Sequence, residues 1–361
     1  MRSSNRIVFV APSLGGGGAE RVAVALSHYF ISRGFEFTFL LTKSPLVSYD
    51  LPERVTLIQP DLDKVPNAID QLVIIRKHMR LNNDAVYLSF MADQNLLMLL
   101  ASIGLKLKTF VSVRNIPERD FKGNKLIQLL RNMLYERCDG VILQLESQGR
   151  GLSKRCQDNS IVIPNPISEN IPCPRDSPAR NVIATSGRLV AQKNHRMTLR
   201  AFKMVLGRFP EYRLEVYGTG PLEKDLRSYS QSLGIANRVD FMGFKEDALE
   251  AIRTSAVFVL SSYFEGMPNA LLEAMSMGVP SVAARCDGGG AEALIQDGVN
   301  GMLVNVDDDS AMAKAIIQLL ESPAVYDRIS ATSSEIRENL TLDKIGAIWE
   351  RVLFGMDIAD A

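Results

Sequence analysis

In the stretch SSYFEGMPNALLEAMSMGVPSVAARCDGGG, residues 261 to 290, Glu265 and Glu273 stand eight positions apart among small and apolar residues. Two carboxylates at a fixed spacing suggest acid–base work, so their placement matters. The preceding AVFVLSS reads as a buried strand and YFEGM as the turn at its carboxyl end. Pro268 suits the first turn of a helix that runs through Met277 and stops at Gly278. Glu265 then lies ahead of the helix and Glu273 inside it, on the order of 10 Å apart. Glycosidase pairs are closer, at roughly 5 to 9.5 Å, a gap that long side chains can narrow. The more natural inference is two contacts at opposite ends of one elongated ligand, with the N–H groups near 267–270 offering a helix N-terminus to an anion between them. Hydroxyls at both ends with phosphate between describe a nucleotide sugar. The competing reading has Glu265 capping the helix and Glu273 facing solvent beside Leu271, Leu272, Ala274 and Met275.

Two further loops have residues suited to phosphate. Four consecutive glycines, Gly15 to Gly18, join a first strand to a helix opening near Ala19, where the backbone can approach a ligand closely. Their spacing is neither G-x-G-x-x-G nor a Walker loop, and a plain strand-to-helix turn competes. In TSGRLVAQKNH, Arg188 and Lys193 follow a strand, and two cations there suit a diphosphate and the charge that develops as it departs. His28 and His78 fall in helical stretches and read as structural, while His195 borders the second loop without an obvious partner. Asp61-x-Asp63 and Asp307-x-Asp309 both spell D-x-D, but Asp307 to Asp309 precede a helix, where carboxylates cap and complement the dipole. With Arg188 and Lys193 available, the expectation is that no metal and no other cofactor is needed.

The elements that must position these residues form a regular series. Thirteen short apolar, β-branched runs, from RIVFVAPS to GMLVNV, alternate with longer segments of helical period. That is the pattern of parallel sheets covered on both faces, the doubly wound α/β class. At 361 residues two domains are expected. The segment 164–181 holds five prolines and little apolar periodicity, which places a linker there. The expected division is 1–167, 168–341, and a terminal helix over 342–361 that holds the only tryptophan, Trp349. Apolar residues make up 46% and charged ones 23%, with 41 basic against 41 acidic, so nothing advertises a nucleic acid partner. The four cysteines are scattered and read as reduced structural thiols of a cytoplasmic protein, and the N-terminus lacks the apolar length of a secretory signal.

No apolar run is long enough to span a bilayer. Residues 106–137, however, hold eight Lys or Arg against three Asp or Glu with apolar residues interleaved. That pattern permits docking on an anionic membrane surface, and equally suits a solvated helix face.

GGAER, GRLVAQKN, VYGTGPLEKDL, RVDFMGF and the long stretch from Ser261 to Val304 resemble the retaining glycosyltransferases of family 4. The E-x7-E element with its G-x-P-N turn is the specific part. The resemblance implies the GT-B fold, two Rossmann-like domains facing across a cleft, the first for the acceptor and the second for the donor. It implies Glu265 on the donor sugar's hydroxyls, Glu273 on the ribose, and Arg188 and Lys193 on the diphosphate. The turn of Gly266, Met267, Pro268, Asn269 and Ala270 would cradle sugar and phosphate. Gly17 and Gly18 would close on the diphosphate, Phe244 would lie near the base, and the terminal helix would cross back to the first domain. Where many relatives have histidine this chain has Arg114, for which phosphate or acceptor is the expected contact. The implied reaction moves a hexose or N-acetylhexosamine from a UDP-sugar to a saccharide acceptor linked to polyprenyl diphosphate, in the cytoplasm or on the inner membrane face. A nucleotide-sugar epimerase of the same architecture and a non-catalytic binding module are the rival readings.

Overall fold

The computed structural model describes residues 5–60, 65–168, 170–174, 179–245 and 247–355. Each of the thirteen apolar runs contributes a strand, and all pair in parallel. The first sheet contains β1 (Arg6–Ala11), β2 (Glu36–Leu41), β3 (Thr56–Ile58), β4 (Val86–Phe90), β5 (Lys108–Val113), β6 (Gly140–Leu143) and β7 (Ser160–Val162), in the order 3-2-1-4-5-6-7. The second contains β8 (Arg180–Ser186), β9 (Arg213–Tyr217), β10 (Val239–Gly243), β11 (Ser255–Leu260), β12 (Ser281–Arg285) and β13 (Met302–Asn305), in the order 10-9-8-11-12-13. Each sheet reverses its strand order once, between β1 and β4 and between β8 and β11. Beside such a reversal, the helices that follow the two strands pack on opposite faces of the sheet, and a crevice opens at the carboxyl edge.

The chain divides into two compact units, Met1–Pro166 with Thr341–Ala361, and Ile167–Leu340. In the second unit the period-2 alternation of a strand sends Ile183, Val259 and Val282 to one core and Ala184, Phe258, Leu260 and Ala283 to the other. Both faces are therefore dry, which is why these strands read as continuous apolar runs rather than alternating ones.

In the first unit Val8, Val10, Leu40, Tyr87 and Val111 build one face. The opposite face is aromatic. Phe9 meets Phe39 and Phe90 edge-on, at centroid distances of 5.6 and 4.7 Å, and Phe90 meets Trp349 at 5.7 Å. Trp349 belongs to the terminal helix Leu342–Phe354, whose buried stripe of Leu342, Ile345, Trp349 and Leu353 follows helical spacing. Thr341 caps its start and Gly355, at φ 69°, ends it. Tyr29 of the helix Gly18–Ser32 donates a 2.8 Å hydrogen bond to the buried Glu350 carboxylate. Cys138, Cys156 and Cys286 are buried free thiols, and burial pushes Cys138 up to about 12.

The terminal helix can approach that closely because residue 346 has no side chain. A Cβ on Gly346 would stand 2.5 Å from the Tyr29 ring. Gly346→Ala is accordingly expected to cost about 1–3 kcal/mol through overpacking, seen as a lower urea midpoint in the transition that Trp349 fluorescence reports.

Candidate functional site

The loop leaving β8 runs from Gly187 through a short turn, Ala191–Lys193, into the helix His195–Leu206. The loop leaving β11 runs from Ser261 to Pro268 and enters the helix Asn269–Ser276. Because the two strands are neighbours, these loops meet. Tyr263 N–H donates to Gln192 O at 2.8 Å, Gln192 Nε2 to Phe264 O at 2.8 Å, and Ser261 Oγ to Lys193 O at 2.9 Å. At the centre Lys193 Nζ and Glu265 Oε1 lie 2.5 Å apart, with side chains 18% and 9% exposed. Ser262 Oγ donates to the same oxygen at 2.7 Å. Both bonds fall on Oε1, and Oε2 has no hydrogen bond among the described residues. A carboxylate this buried is tolerable because ammonium and hydroxyl replace its water.

The helix beyond begins one residue later than its proline suggests. Pro268 is the N-cap, with no side-chain cap, and Asn269 opens the helix. Its N-terminal turn carries the partial positive charge of the helix dipole. Glu273 on this helix is 7% exposed, so it does not face solvent as the competing reading had it. Gly266, Met267 and Pro268 are buried, and Asn269 and Ala270 half-buried. The turn at 266 is pressed by Gly288–Gly290, since a Cβ on Gly290 would fall 1.8 Å from Gly266 O. Only glycine permits that approach. Arg188 is exposed, its carbonyl 3.4 Å from His195 Nε2.

Phe244, after the β10 turn at Gly243 (φ 68°), is 78% exposed and stands at the far edge of the sheet, with β9 between its strand and β8. Lys193, Glu265, the 266–270 turn and Glu273 are thus assembled around one pair of strands.

The remaining candidates belong to the first unit. Gly17 is the extended N-cap of the helix Gly18–Ser32, again without a side-chain cap, and its carbonyl accepts from Tyr49 Oη at 2.8 Å. The Glu20 carboxylate lies over Gly17, where a Cβ would meet it at 2.2 Å. Arg114, just past β5, is turned inward. Its guanidinium lies 3.7 Å over the Phe90 ring, Nη1 donates to Asn165 Oδ1 at 2.6 Å, and the buried Nε and Nη2 have no hydrogen-bond partner among the described residues. Burial brings its pKa down to about 9.

The helix Lys125–Tyr135 is amphipathic, but its apolar side is not covered. Leu126, Leu129 and Met133 are 79%, 58% and 59% exposed, while Arg131 points inward to Pro117 O, Gly151 O and Asp120. Arg119, Lys122 and Lys125 flank it, all exposed.

Sequence reasoning passes over Ser262, Tyr263, Gln192 and Gly290. The serine pair before YFE and the glycine run at 288–290 are the signals that mark them. Asp308 caps the helix Asp309–Glu321 and Asp309 pairs with Arg200, as carboxylates before a helix should. Asp61 and Asp63 lie outside the described residues. Among those described, no three His, Cys, Asp or Glu group into a metal site. His28 and His78, in the first unit, contact Asp50 O and Tyr87 Oη.

Residues 180–322, the whole second sheet and the helix after it, match a family profile described as Glycosyl transferases group 1. An N-acetylgalactosaminyltransferase of Campylobacter jejuni is 26% identical over 358 residues, 96% of this chain and 98% of its own. It is described as acting on GalNAc-alpha-(1->4)-GalNAc-alpha-(1->3)-diNAcBac-PP-undecaprenol. An uncharacterised glycosyltransferase of Haemophilus influenzae is 24% identical over 348 residues, 93% of this chain and 96% of its own. The crystal structure of Anabaena Alr3699/HepE in complex with UDP and glucose aligns with a TM-score of 0.82 at 18% identity, over 97% of this chain and 99% of that one. The chain is a GT-B glycosyltransferase.

In this glycosyltransferase His195 sits at the root of the cationic loop, 5% exposed, with Nδ1 buried and unpartnered. Burial, reinforced by the Lys193 charge, lowers its pKa from 6.5 to about 4, so the fold holds the neutral ring. The unfolded chain takes up the proton first on acidification. Stability that is complete above about pH 6.5 therefore falls as the pH drops toward 4, by on the order of 3 kcal/mol. Urea midpoints at pH 7 and pH 5 should separate more for the wild type than for His195→Gln.

Proposed function

We propose that the enzyme is a retaining family 4 glycosyltransferase that moves a hexose or N-acetylhexosamine from a UDP-sugar to a hydroxyl of a saccharide linked to polyprenyl diphosphate, in cell-surface glycan assembly. The observation that supports it best is the Lys193–Glu265 pair, with Glu265 Oε2 free of hydrogen bonds among the described residues, just ahead of the N-terminus of the helix Asn269–Ser276. A cation, a hydrogen-bond acceptor and an anion-binding backbone turn lie together, as a sugar linked to diphosphate requires. The lipid-linked acceptor of the Campylobacter relative and the UDP and glucose in the Anabaena structure favour these substrates.

In this reading the bond between the anomeric carbon and the diphosphate oxygen breaks, and a new bond forms to the acceptor oxygen on the same face. The acceptor's proton passes to the departing phosphate, and no metal or other cofactor takes part. Arg188, Lys193 and the amides from Gly266 to Ala270 stabilise the charge that develops on the leaving group. Glu265 orients the sugar hydroxyls, Glu273 holds the ribose, Phe244 lies near the base, and Gly17 and Gly18 meet the phosphates. Arg114 acts from behind, fixing the end of β5 through Phe90 and Asn165. Lys193→Ala should lower kcat by about 100-fold or more, and Glu265→Gln should do so with little change in UDP affinity. The assay incubates candidate UDP-sugars with undecaprenyl-diphosphate-linked saccharides and follows product mass and anomeric configuration. Interconversion of donor without acceptor would indicate an epimerase, and UDP binding without turnover a binding module.

The uncovered side of the helix Lys125–Tyr135 fits an anionic membrane surface in the same reading, apolar residues entering the headgroup boundary between Lys122, Lys125 and Arg119. Among the described residues no helix is long and apolar enough to cross a membrane. Flotation with vesicles containing anionic lipid should capture the wild type and lose most of Leu129→Asp, whereas equal capture of both would exclude this face.

A further inference from the structure

Asp307 has no part in the chemistry above and does not cap the helix that follows it; Asp308 does. Its backbone adopts φ 62°, a left-handed conformation that a non-glycine residue takes at a cost. In that conformation its Oδ1 accepts from Asn194 Nδ2 at 2.9 Å and from Tyr263 Oη at 3.2 Å. Asn194 is the residue after Lys193 and is itself left-handed, at φ 47°. Tyr263 is two residues before Glu265. One carboxylate oxygen, arriving from the loop after β13, therefore spans the two loops whose side chains meet as the Lys193–Glu265 pair. Arg200 stands 3.9 Å from the same oxygen and is itself fixed by Asp309.

We propose that Asp307 is a positioning residue that clamps the β8 and β11 loops and so sets the geometry of Lys193 and Glu265. The proposal rests on the assignment of that pair to the donor site. The loops are already joined through Tyr263 N–H to Gln192 O, Gln192 Nε2 to Phe264 O, and Ser261 Oγ to the Lys193 and Asn194 carbonyls, but none of those bonds holds the Asn194 or Tyr263 side chain. Asp307 ties Asn194, where the backbone turns into the helix His195–Leu206, to the Tyr263 side chain. Freedom at this point lets the ammonium drift from the carboxylate, and a misplacement of about 1 Å can cost on the order of 100-fold in rate. A clamp of two hydrogen bonds, one part-buried and one exposed, controls only part of that.

Two substitutions separate the clamp from general stability. Asp307→Gly removes the acceptor while relaxing the left-handed backbone, so folding is not penalised by strain. Asp307→Asn keeps an oxygen acceptor in a residue that tolerates the same conformation. Transfer is measured with whichever of UDP-glucose, UDP-galactose and their N-acetyl forms gives the highest wild-type turnover, and binding is measured with UDP alone. Asp307→Gly should lower kcat about tenfold, with the melting temperature and UDP affinity nearly unchanged. Asp307→Asn should recover most of the rate. In urea unfolding, Asp307→Gly and Asn194→Ala should be non-additive, a test that requires no substrate. Additive stabilities, or a full rate in Asp307→Gly, would overturn the clamp. If Lys193→Ala and Glu265→Gln also keep full rate, the assignment of the pair fails and the clamp with it. Loss in those two with full rate in Asp307→Gly refutes the clamp alone.

Discussion

Lys193 and Glu265 are 72 residues apart in the chain and 2.5 Å apart in space, and one constraint makes this possible: β8 and β11 are adjacent parallel strands. A parallel sheet delivers every strand's carboxyl end to the same edge, so the loops that follow neighbouring strands must face each other. At the reversal of strand order they do so without a crossover between them. The ammonium and the carboxylate are mostly sheltered from water, and neither is well accommodated without the other. Around the pair, Gln192, Ser261 and Tyr263 fix backbone groups that would otherwise lose water unpaired, and Ser262 donates to the carboxylate itself.

The glycosyltransferase's first unit solves a different problem. Its sheet has one aliphatic face and one aromatic face, and the aromatic face is closed by a helix from the far end of the chain. Arg114 adds a cation to that interior with no ion pair among the described residues. The π-face of Phe90 and the Asn165 amide offset part of its desolvation. Burial lowers the pKa of this guanidinium.

Legibility in the sequence followed range. The central strands can be read from their apolar runs because a strand buried on both faces needs apolar residues at successive positions, and the more exposed edge strands β3 and β7 are marked by their β-branched residues, again a local property. The helix after Glu265 is legible from Pro268 and Gly278, one residue out at its start, because the proline's fixed φ also serves an N-cap. That Glu273 is buried rather than wet depends on neighbours from elsewhere, and so remained open. Ser262 and Gly290 are quieter still, since a serine or glycine acquires meaning only from what approaches it. Asp307 is the extreme case. Its D-x-D spacing suggests a metal or a cap, and its contacts are neither, because both partners come from loops 44 and 113 residues away.

The sequence by itself determined the α/β class, the strands and their parallel sense, and the residue types able to hold a nucleotide sugar, all of which follow from periodicity and turn chemistry along the chain. Tertiary structure alone decided which of those residues meet. Strand order selects the neighbouring loops, and strand order is a global packing solution that no local pattern encodes. It brought Lys193 onto Glu265, turned Arg114 inward onto Phe90, and set Asp307 across the two loops.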